Sequence, residues 1–145
     1  MLTIKKLLEK TFEEKKKRKW PKLFWAIDLH ATIISGVYSK NNEGAVIAPD
    51  AIDVLKYLTE HPEHVLILWT SSYKEPIKNI LDKLGKYGIK FDYVNKNPEC
   101  PNTELCDFKG KFYFNILLDD KGFFEMDKDW TEIKQFLLER KINES

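Results

Sequence analysis

The sequence is poor in the residues that mark several classes of protein. Its 145 residues include two cysteines, Cys100 and Cys106, and three histidines, without the spacing of a structural zinc site. Two cysteines are also too few for a disulfide scaffold, which favours a reducing, cytoplasmic setting. No apolar run approaches the roughly 18 residues of a membrane span. Residues 1–20 lack a signal-peptide pattern, because Lys and Glu interrupt their apolar positions.

An excess of charge of one sign is also missing. The chain has 24 Lys and Arg against 23 Asp and Glu, a formal net charge of +1. This balance excludes an overall field that would attract nucleic acid or acidic lipid. The exception is the basic run at residues 15–19, which ends a predicted amphipathic helix over residues 2–19. We interpret the run as a solvated helix end, since cations suit the negative end of the helix dipole, with a nucleic-acid contact as the alternative.

The chain does have the composition of a packed core, with 43% hydrophobic and 13% aromatic residues. Its length predicts a single domain, residues 1–145, in which residues 1–20 form the basic N-terminal helix and residues 22–140 the core. Short apolar runs predict strands, and patterns of period 3.6 predict helices. The order of these elements predicts an α/β fold with a parallel sheet covered on both faces. The predicted strands are residues 23–27, 65–69, 91–94 and 112–118, and the predicted core helices are residues 50–60, 75–87 and 130–140.

Two segments outside these elements have the composition of loops. Residues 32–48 contain an Asn and Gly cluster between two short apolar runs, residues 37–38 and 45–47, which predicts a small flap. The flap follows the first strand directly, where it could cover a site at the end of that strand. Residues 95–107 are rich in Asn and Pro, and loops of such length in compact domains are often functional.

Polar residues follow the predicted strands where parallel sheets bind ligands, outside the carboxyl ends. Asp28 ends the first strand and Thr70 the second, while Asp119 and Asp120 end the last. Each alone is typical of a cap or a turn. Together, several carboxylates would repel one another unless a cation such as Mg²⁺ lay between them. A hydroxyl and Lys111 nearby would hold phosphoryl oxygens, and a free carboxylate can attack phosphorus.

In this order the motifs resemble those of the haloacid dehalogenase (HAD) superfamily of phosphohydrolases. The resemblance covers residues 22–140 and is strongest to small, nearly capless members. Residues 95–130 are also similar to short members from bacteria and phages. It implies a Rossmann-like three-layer sandwich with a central parallel sheet, a small flap and no large cap. The matching segments are Asp28-Leu29-His30-Ala31-Thr32, Leu68-Trp69-Thr70-Ser71, Lys111 and Leu117-Leu118-Asp119-Asp120.

The resemblance also implies a role for each matching residue. Asp28 would be the nucleophile that forms an aspartyl phosphate. The implied Mg²⁺ ligands are Asp28, the backbone carbonyl of His30, Asp119 and the supporting Asp120. The implied groups around the phosphoryl group are Thr70, Ser71 and Lys111, with Lys109 and Lys96 as further candidates for the lysine.

His30 is where the sequence departs from the family pattern. Family phosphatases have an acid at this position, which protonates the leaving group and then activates water. Imidazole can serve as an acid or a base near neutral pH. Three interpretations of His30 stay open at this point: a substitute acid–base residue, a contact that sets substrate specificity, and a relic of a lost activity.

The predicted function is a Mg²⁺-dependent phosphohydrolase whose substrate is a phosphorylated small molecule or a nucleic-acid end. The alternative is a catalytically impaired domain of the same fold that binds a phosphate or a partner, since fold does not fix function. A phosphorelay receiver domain also uses Asp, Thr and Lys around Mg²⁺. Its acid pair would follow the first strand, whereas here the pair follows the last strand, which disfavours that class.

Overall fold

The computed structural model describes residues 3–35, 42 and 44–144. The described residues form four α-helices and four strands, in the order that the sequence predicts. A short 3-10 turn, Asp120–Gly122, follows the last strand. The helices are Ile4–Arg18 (α1), Pro49–Glu60 (α2), Lys74–Gly85 (α3) and Asp129–Glu144 (α4), and the strands are Leu23–Asp28 (β1), His64–Trp69 (β2), Tyr93–Val94 (β3) and Ile116–Leu118 (β4).

The four strands form one parallel sheet in the order β3-β2-β1-β4. This confirms the predicted α/β fold. β1 is central, and five of its six residues are buried. The chain moves outward from β1 through β2 to β3 and then returns to the other side of β1 for β4. The strand order therefore reverses beside β1, and ligands of open α/β sheets bind in the crevice at such a reversal.

One face of the sheet packs against the helices. Trp25 and Ile27 of β1 belong to a buried apolar cluster that contains residues from all four helices, including Leu55 of α2 and Ile133 of α4. Trp25 is fully buried, and its indole Nε1 donates a hydrogen bond to Nδ1 of His64 over 3.0 Å. The predicted helices are confirmed, and their ends lie within four residues of the expected positions.

The other face packs against the connection between β3 and β4, residues 95–115, which contains no helix or strand although all of it is described. Phe24 and Ala26 of β1 contact this layer, which includes the buried Phe112 and the partly buried Phe114. The sheet is thus covered on both faces, as predicted, and the third layer is an aromatic loop.

This loop shortens the last predicted strand. Residues 112–114 turn onto the sheet face, where their aromatic side chains are buried or partly buried, so the strand predicted over residues 112–118 is reduced to Ile116–Leu118. Asn115 still completes the edge of the ladder. Its backbone N–H donates to the Phe24 carbonyl, and its side-chain oxygen accepts from the Phe24 N–H, both over 2.8 Å.

The flap predicted over residues 32–48 begins and ends with described residues, 32–35 and 44–48. The predicted strand over residues 37–38 lies outside the described residues. The predicted strand over residues 45–47 is a single antiparallel bridge between Ile34 and Ile47, and the Ser35 N–H donates to the Val46 carbonyl over 2.8 Å. Among the described residues, none of the helices is long and apolar enough to cross a lipid bilayer.

Candidate active site

Three carboxylates converge at the carboxyl ends of β1 and β4. Asp28 ends β1, and Asp119 and Asp120 follow β4 directly. One carboxylate oxygen from each of the three lies within 4.8 Å of the others. The cause is the register of the sheet, because Ile27 pairs with Leu118 and the next residue of each strand is an acid. Acids that are about 90 residues apart in the sequence therefore share one site.

The hydroxyl of Thr32 links these acids to one another. Thr32 is fully buried, and its Oγ1 donates to Oδ2 of Asp28 over 3.1 Å and accepts from the Asp120 N–H over 3.2 Å. The indole Nε1 of Trp130 on α4 donates to the Thr32 carbonyl over 2.6 Å. Thr32 thus positions the acids from the helix-covered side. Its place in the Asp-x-His-x-Thr segment was the sequence signal for this role.

The surroundings of Asp28 disfavour its negative charge. Burial raises the pKa of Asp28 above the usual value of an aspartate, and the hydrogen bond to Asp120 and the charge of Asp119 raise this pKa further. The Thr32 hydroxyl and the Leu29 N–H act in the opposite direction. The site therefore has more negative charge than its protein donors neutralise, which is the property of a cation-binding cluster.

A cavity of about 310 Å³ opens over the carboxylates. It brings six of the predicted site residues together: Asp28, His30, Thr70, Ser71, Asp119 and Asp120. Trp69 and Lys121 complete the described lining. The cavity lies at the strand reversal beside β1, where the topology predicts a ligand.

Thr70 and Ser71 lie in the short segment between β2 and α3. The cap of α3 is Tyr73, without a side-chain hydrogen bond, so these hydroxyls are not a helix N-cap. Oγ1 of Thr70 instead donates to Oγ of Ser72 over 3.1 Å and accepts from the Ser72 N–H over 3.2 Å. This bonding fixes the turn that carries both hydroxyls.

Asn95 holds this turn from the neighbouring strand, a role that the sequence did not indicate. Its side-chain oxygen accepts from the Thr70 N–H over 2.9 Å, and its Nδ2 donates to the Thr70 carbonyl over 2.7 Å. Asn95 has a positive φ of 55°, a conformation that Asn adopts more readily than most residues. Its amide acts as one more rung of the ladder between β2 and β3.

The structure does not bring the predicted lysines to the acidic cavity. Nζ of Lys111 lies 5.8 Å from the ring centroid of Phe114, and Lys111 lines a separate apolar cavity. Lys109 and Lys96 line a third cavity. The lysine that lines the acidic cavity is Lys121, which directly follows the acid pair. Sequence analysis missed it because the family pattern directed attention to lysines before that pair.

His30 lines the cavity and contacts the segment that follows β1. Its Nε2 lies 2.7 Å from Oδ1 of Asn42, and since an amide oxygen can only accept, Nε2 carries the proton of this bond. The backbone of His30 also forms an isolated bridge with Ile34. The imidazole is therefore held at the mouth of the cavity on the side of the flap.

Comparison with known proteins supports the fold. No family model and no curated protein matches the sequence. The structure is similar to that of a conserved protein from Bacteroides thetaiotaomicron, with a TM-score of 0.60 and 24% identity over 82% of this chain and 92% of that one. A D,D-heptose 1.7-bisphosphate phosphatase from B. bronchiseptica, complexed with magnesium and phosphate, gives a TM-score of 0.43 and 12% identity over 57% of this chain and 53% of the enzyme. The first likeness confirms the Rossmann-like fold expected from the resemblance to the HAD superfamily.

Proposed function

We propose that this protein is a phosphohydrolase that cleaves phosphomonoesters with Asp28 as the nucleophile. The observation that carries the proposal is the convergence of Asp28, Asp119 and Asp120 within 4.8 Å in one cavity with two hydroxyls and a lysine. Acids, hydroxyls and a cation at a strand reversal are the set that phosphoryl transfer through an aspartate needs.

The acidic cluster fits Mg²⁺. Carboxylate and carbonyl oxygens are the hard ligands that this ion prefers, and a cation would stabilise the charge of Asp28, which burial disfavours first and the charge of Asp119 disfavours further. The residues that would hold it are Asp28, Asp119 and the His30 carbonyl, supported by Asp120. When bound, Mg²⁺ supplies positive charge that offsets the charge of the phosphoryl oxygens.

The chemistry of the protein groups proceeds in two displacements. In the first, a carboxylate oxygen of Asp28 attacks phosphorus, the bond from phosphorus to the leaving oxygen breaks, and that oxygen takes up a proton. In the second, water attacks phosphorus, the bond to Asp28 breaks, and inorganic phosphate leaves with Asp28 restored. Thr70 and Ser71 donate hydrogen bonds to the phosphoryl oxygens. His30 lines the cavity, and its imidazole can carry the transferred proton near neutral pH.

The first experiment tests the nucleophile. Phosphate release from simple phosphomonoesters with Mg²⁺ is measured for the wild type, Asp28→Asn and the control Asp127→Asn, which changes an exposed acid outside the cavity. Asp28→Asn should lower kcat by at least about 10³-fold, as the loss of a nucleophile does in other enzymes. The control should keep wild-type turnover. Turnover by Asp28→Asn at the wild-type rate would exclude Asp28 as the nucleophile.

A second experiment assigns the lysine. We expect Lys121, rather than the originally predicted Lys111, to bind the phosphoryl group, because Lys121 lines the acidic cavity. Inhibition by inorganic phosphate is compared between Lys121→Met and Lys111→Met. Loss of a charged hydrogen-bond donor should raise the inhibition constant about 10-fold or more in Lys121→Met. An effect confined to Lys111→Met would return the role to Lys111.

The role of His30 is tested by turnover of His30→Asn and His30→Asp. Loss of positioned acid–base help costs on the order of 10² to 10⁴ in rate, so His30→Asn should lose that much. His30→Asp restores the family's acid and should keep activity. Binding of Mg²⁺ and phosphate without turnover, in the wild type and in His30→Asp alike, would instead favour a binding domain.

A further inference from the structure

Among the described residues that line the acidic cavity, Trp69 is the one with a large apolar side chain. The other described lining residues are Asp28, His30, Thr70, Ser71, Asp119, Asp120 and Lys121, all of which are polar or charged. Trp69 ends β2, where the five preceding residues are buried, yet its own side chain is 41% exposed. It pairs with Asp28 in the parallel register, so both side chains leave the same face of the sheet.

The aromatic loop holds the indole of Trp69 in place from behind. The rings of Trp69 and Phe112 meet edge to face, with centroids 5.4 Å apart and an interplanar angle of 68°. Phe112 in turn contacts Phe114 at a centroid distance of 6.0 Å. The loop therefore fixes Trp69 without burying it, and an indole so held presents a rigid apolar surface to the cavity.

Trp69 also separates the acidic cavity from an apolar one. The second cavity measures about 230 Å³ and is lined by Trp69, Phe112, Phe114, Ala26 and Leu117, with Lys111 and Gly110. Ala26 lies two residues before Asp28 on the same face of β1, about 7 Å along the strand. Ala26 is fully buried behind this cavity, and Phe112, Phe114 and Leu117 supply the apolar lining that continues past the indole.

We propose that Trp69 selects phosphomonoesters whose leaving group carries a flat aromatic ring, and this inference rests on the proposed function. The attack of Asp28 directs the leaving oxygen away from the carboxylate, out through the mouth of the cavity. The bend at that oxygen tilts the attached group towards one wall. The charged walls would have to lose water to contact it, whereas the exposed indole gains from losing water. A flat ring gains most, because it can lie against the indole in a stacked geometry.

The test compares two substrates of similar size, benzyl phosphate and cyclohexylmethyl phosphate. Both release a primary alcohol, so the leaving oxygens have similar basicity, and only the first carries a flat ring. The ratio of their kcat/KM values in the wild type should favour benzyl phosphate by about 3- to 10-fold, the range of an aromatic contact. Trp69→Leu should bring the ratio close to one, and Trp69→Phe should keep part of the preference.

The matched control is Tyr87→Leu, which removes an aromatic side chain that is 44% exposed and lies outside all three cavities around Trp69. It should keep the wild-type ratio. Equal kcat/KM values for the two substrates in the wild type would overturn the inference and leave the proposed function standing. A preference that survives in Trp69→Leu would overturn it as well.

Binding gives a readout that does not depend on turnover. Benzylphosphonate and cyclohexylmethylphosphonate are titrated into wild-type protein and Trp69→Leu in the presence of Mg²⁺, with the heat of binding as the signal. Tighter binding of benzylphosphonate that is lost in Trp69→Leu would support the aromatic subsite even if neither ester were hydrolysed, and the proposed function alone would then fail. Equal binding of the two phosphonates, or binding of neither, would overturn the inference.

Discussion

The two faces of the sheet are covered in different ways, and only one of them carries the candidate site. Along β1, Trp25 and Ile27 point to the helices, whereas Phe24, Ala26 and Asp28 point to the loop. The helix-covered face is closed by apolar side chains from all four helices. The loop-covered face is aromatic in its middle and acidic at its carboxyl end. The helices thus supply the stable frame, and the loop holds the indole of Trp69 beside the acidic cavity.

The loop can cover a sheet face because its side-chain amides replace the hydrogen bonds that a helix would make internally. Buried Asn97 is an example. Its Nδ2 donates to the Tyr113 carbonyl over 2.9 Å, and its Oδ1 accepts from the Glu99 N–H over 3.1 Å. Oδ1 of Asn102 accepts from the Phe108 N–H over 2.6 Å in the same way. The Asn-rich composition of this segment therefore has a structural cause.

The largest expected effect is on the free energy of unfolding, which should fall more for a substitution on the helix-covered face than for one on the loop-covered face. Trp25→Ala should lower the free energy of unfolding by about 3–5 kcal/mol, because it leaves a large cavity under the helices and removes the donor that pairs with His64. Phe112→Ala, on the loop-covered face, should cost less, about 2 kcal/mol, because a loop can settle into the vacated space. Urea denaturation measures both values. Equal losses would show that the loop packs as rigidly as the helices.

A smaller expected effect is the pH dependence of stability that a buried histidine on the helix-covered face causes. The pKa of His64 is lowered to about 4, mainly by burial, with His61, Lys15 of α1 and Arg140 of α4 acting in the same direction and Glu63 opposing them. The folded protein therefore holds His64 neutral at a pH where the unfolded chain, with a pKa of about 6.5, takes up a proton. The stability from neutral His64 is complete above about pH 6.5 and is lost as the pH falls towards 4.

The expected loss between these limits is on the order of 2–3 kcal/mol. The free energy of unfolding is measured at pH 7 and at pH 4 for the wild type and for His64→Gln. The decrease between the two pH values should be smaller in His64→Gln by the expected loss. Other titrating groups are common to both proteins and cancel in the difference. A wild-type dependence in His64→Gln would show that His64 titrates normally.

The sequence predicted the frame of the fold well, because the helix-covered face follows simple periodic rules. Apolar runs of five residues identified β1 and β2, and apolar positions three and four apart identified the helices. The loop-covered face was predicted less well. Phe112 and Phe114 lie in an apolar run that is typical of a strand, but they pack as loop residues onto the sheet. Short apolar runs do not distinguish these two outcomes.

The candidate site was likewise predicted only where its residues follow the periodic elements of the fold. The acids and hydroxyls were predicted because each follows a strand, and the sheet places strand ends together. Lys121 and Asn95 were not predicted, because their positions depend on a 3-10 turn and on a left-handed residue rather than on a repeating pattern. Trp69 was read only as the end of a buried strand. The exposure of Trp69 depends on how residues 95–115 pack against the sheet, and the sequence around Trp69 does not predict that packing.

The smallest expected effect is at Asn95, which holds the Thr70 turn beside the acidic cavity. Asn95→Ala removes both hydrogen bonds to the Thr70 backbone. It also puts alanine at a φ of 55°, where alanine is strained and has no polar side chain to offset the strain. It should lower the free energy of unfolding by about 1–2 kcal/mol. Asn95→Gly removes the same hydrogen bonds but tolerates the positive φ, so it should cost less, about 1 kcal/mol. Both variants should weaken phosphate binding equally if the hydrogen bonds position the Thr70 turn. Weaker binding in Asn95→Ala alone would assign the effect to the backbone conformation of residue 95.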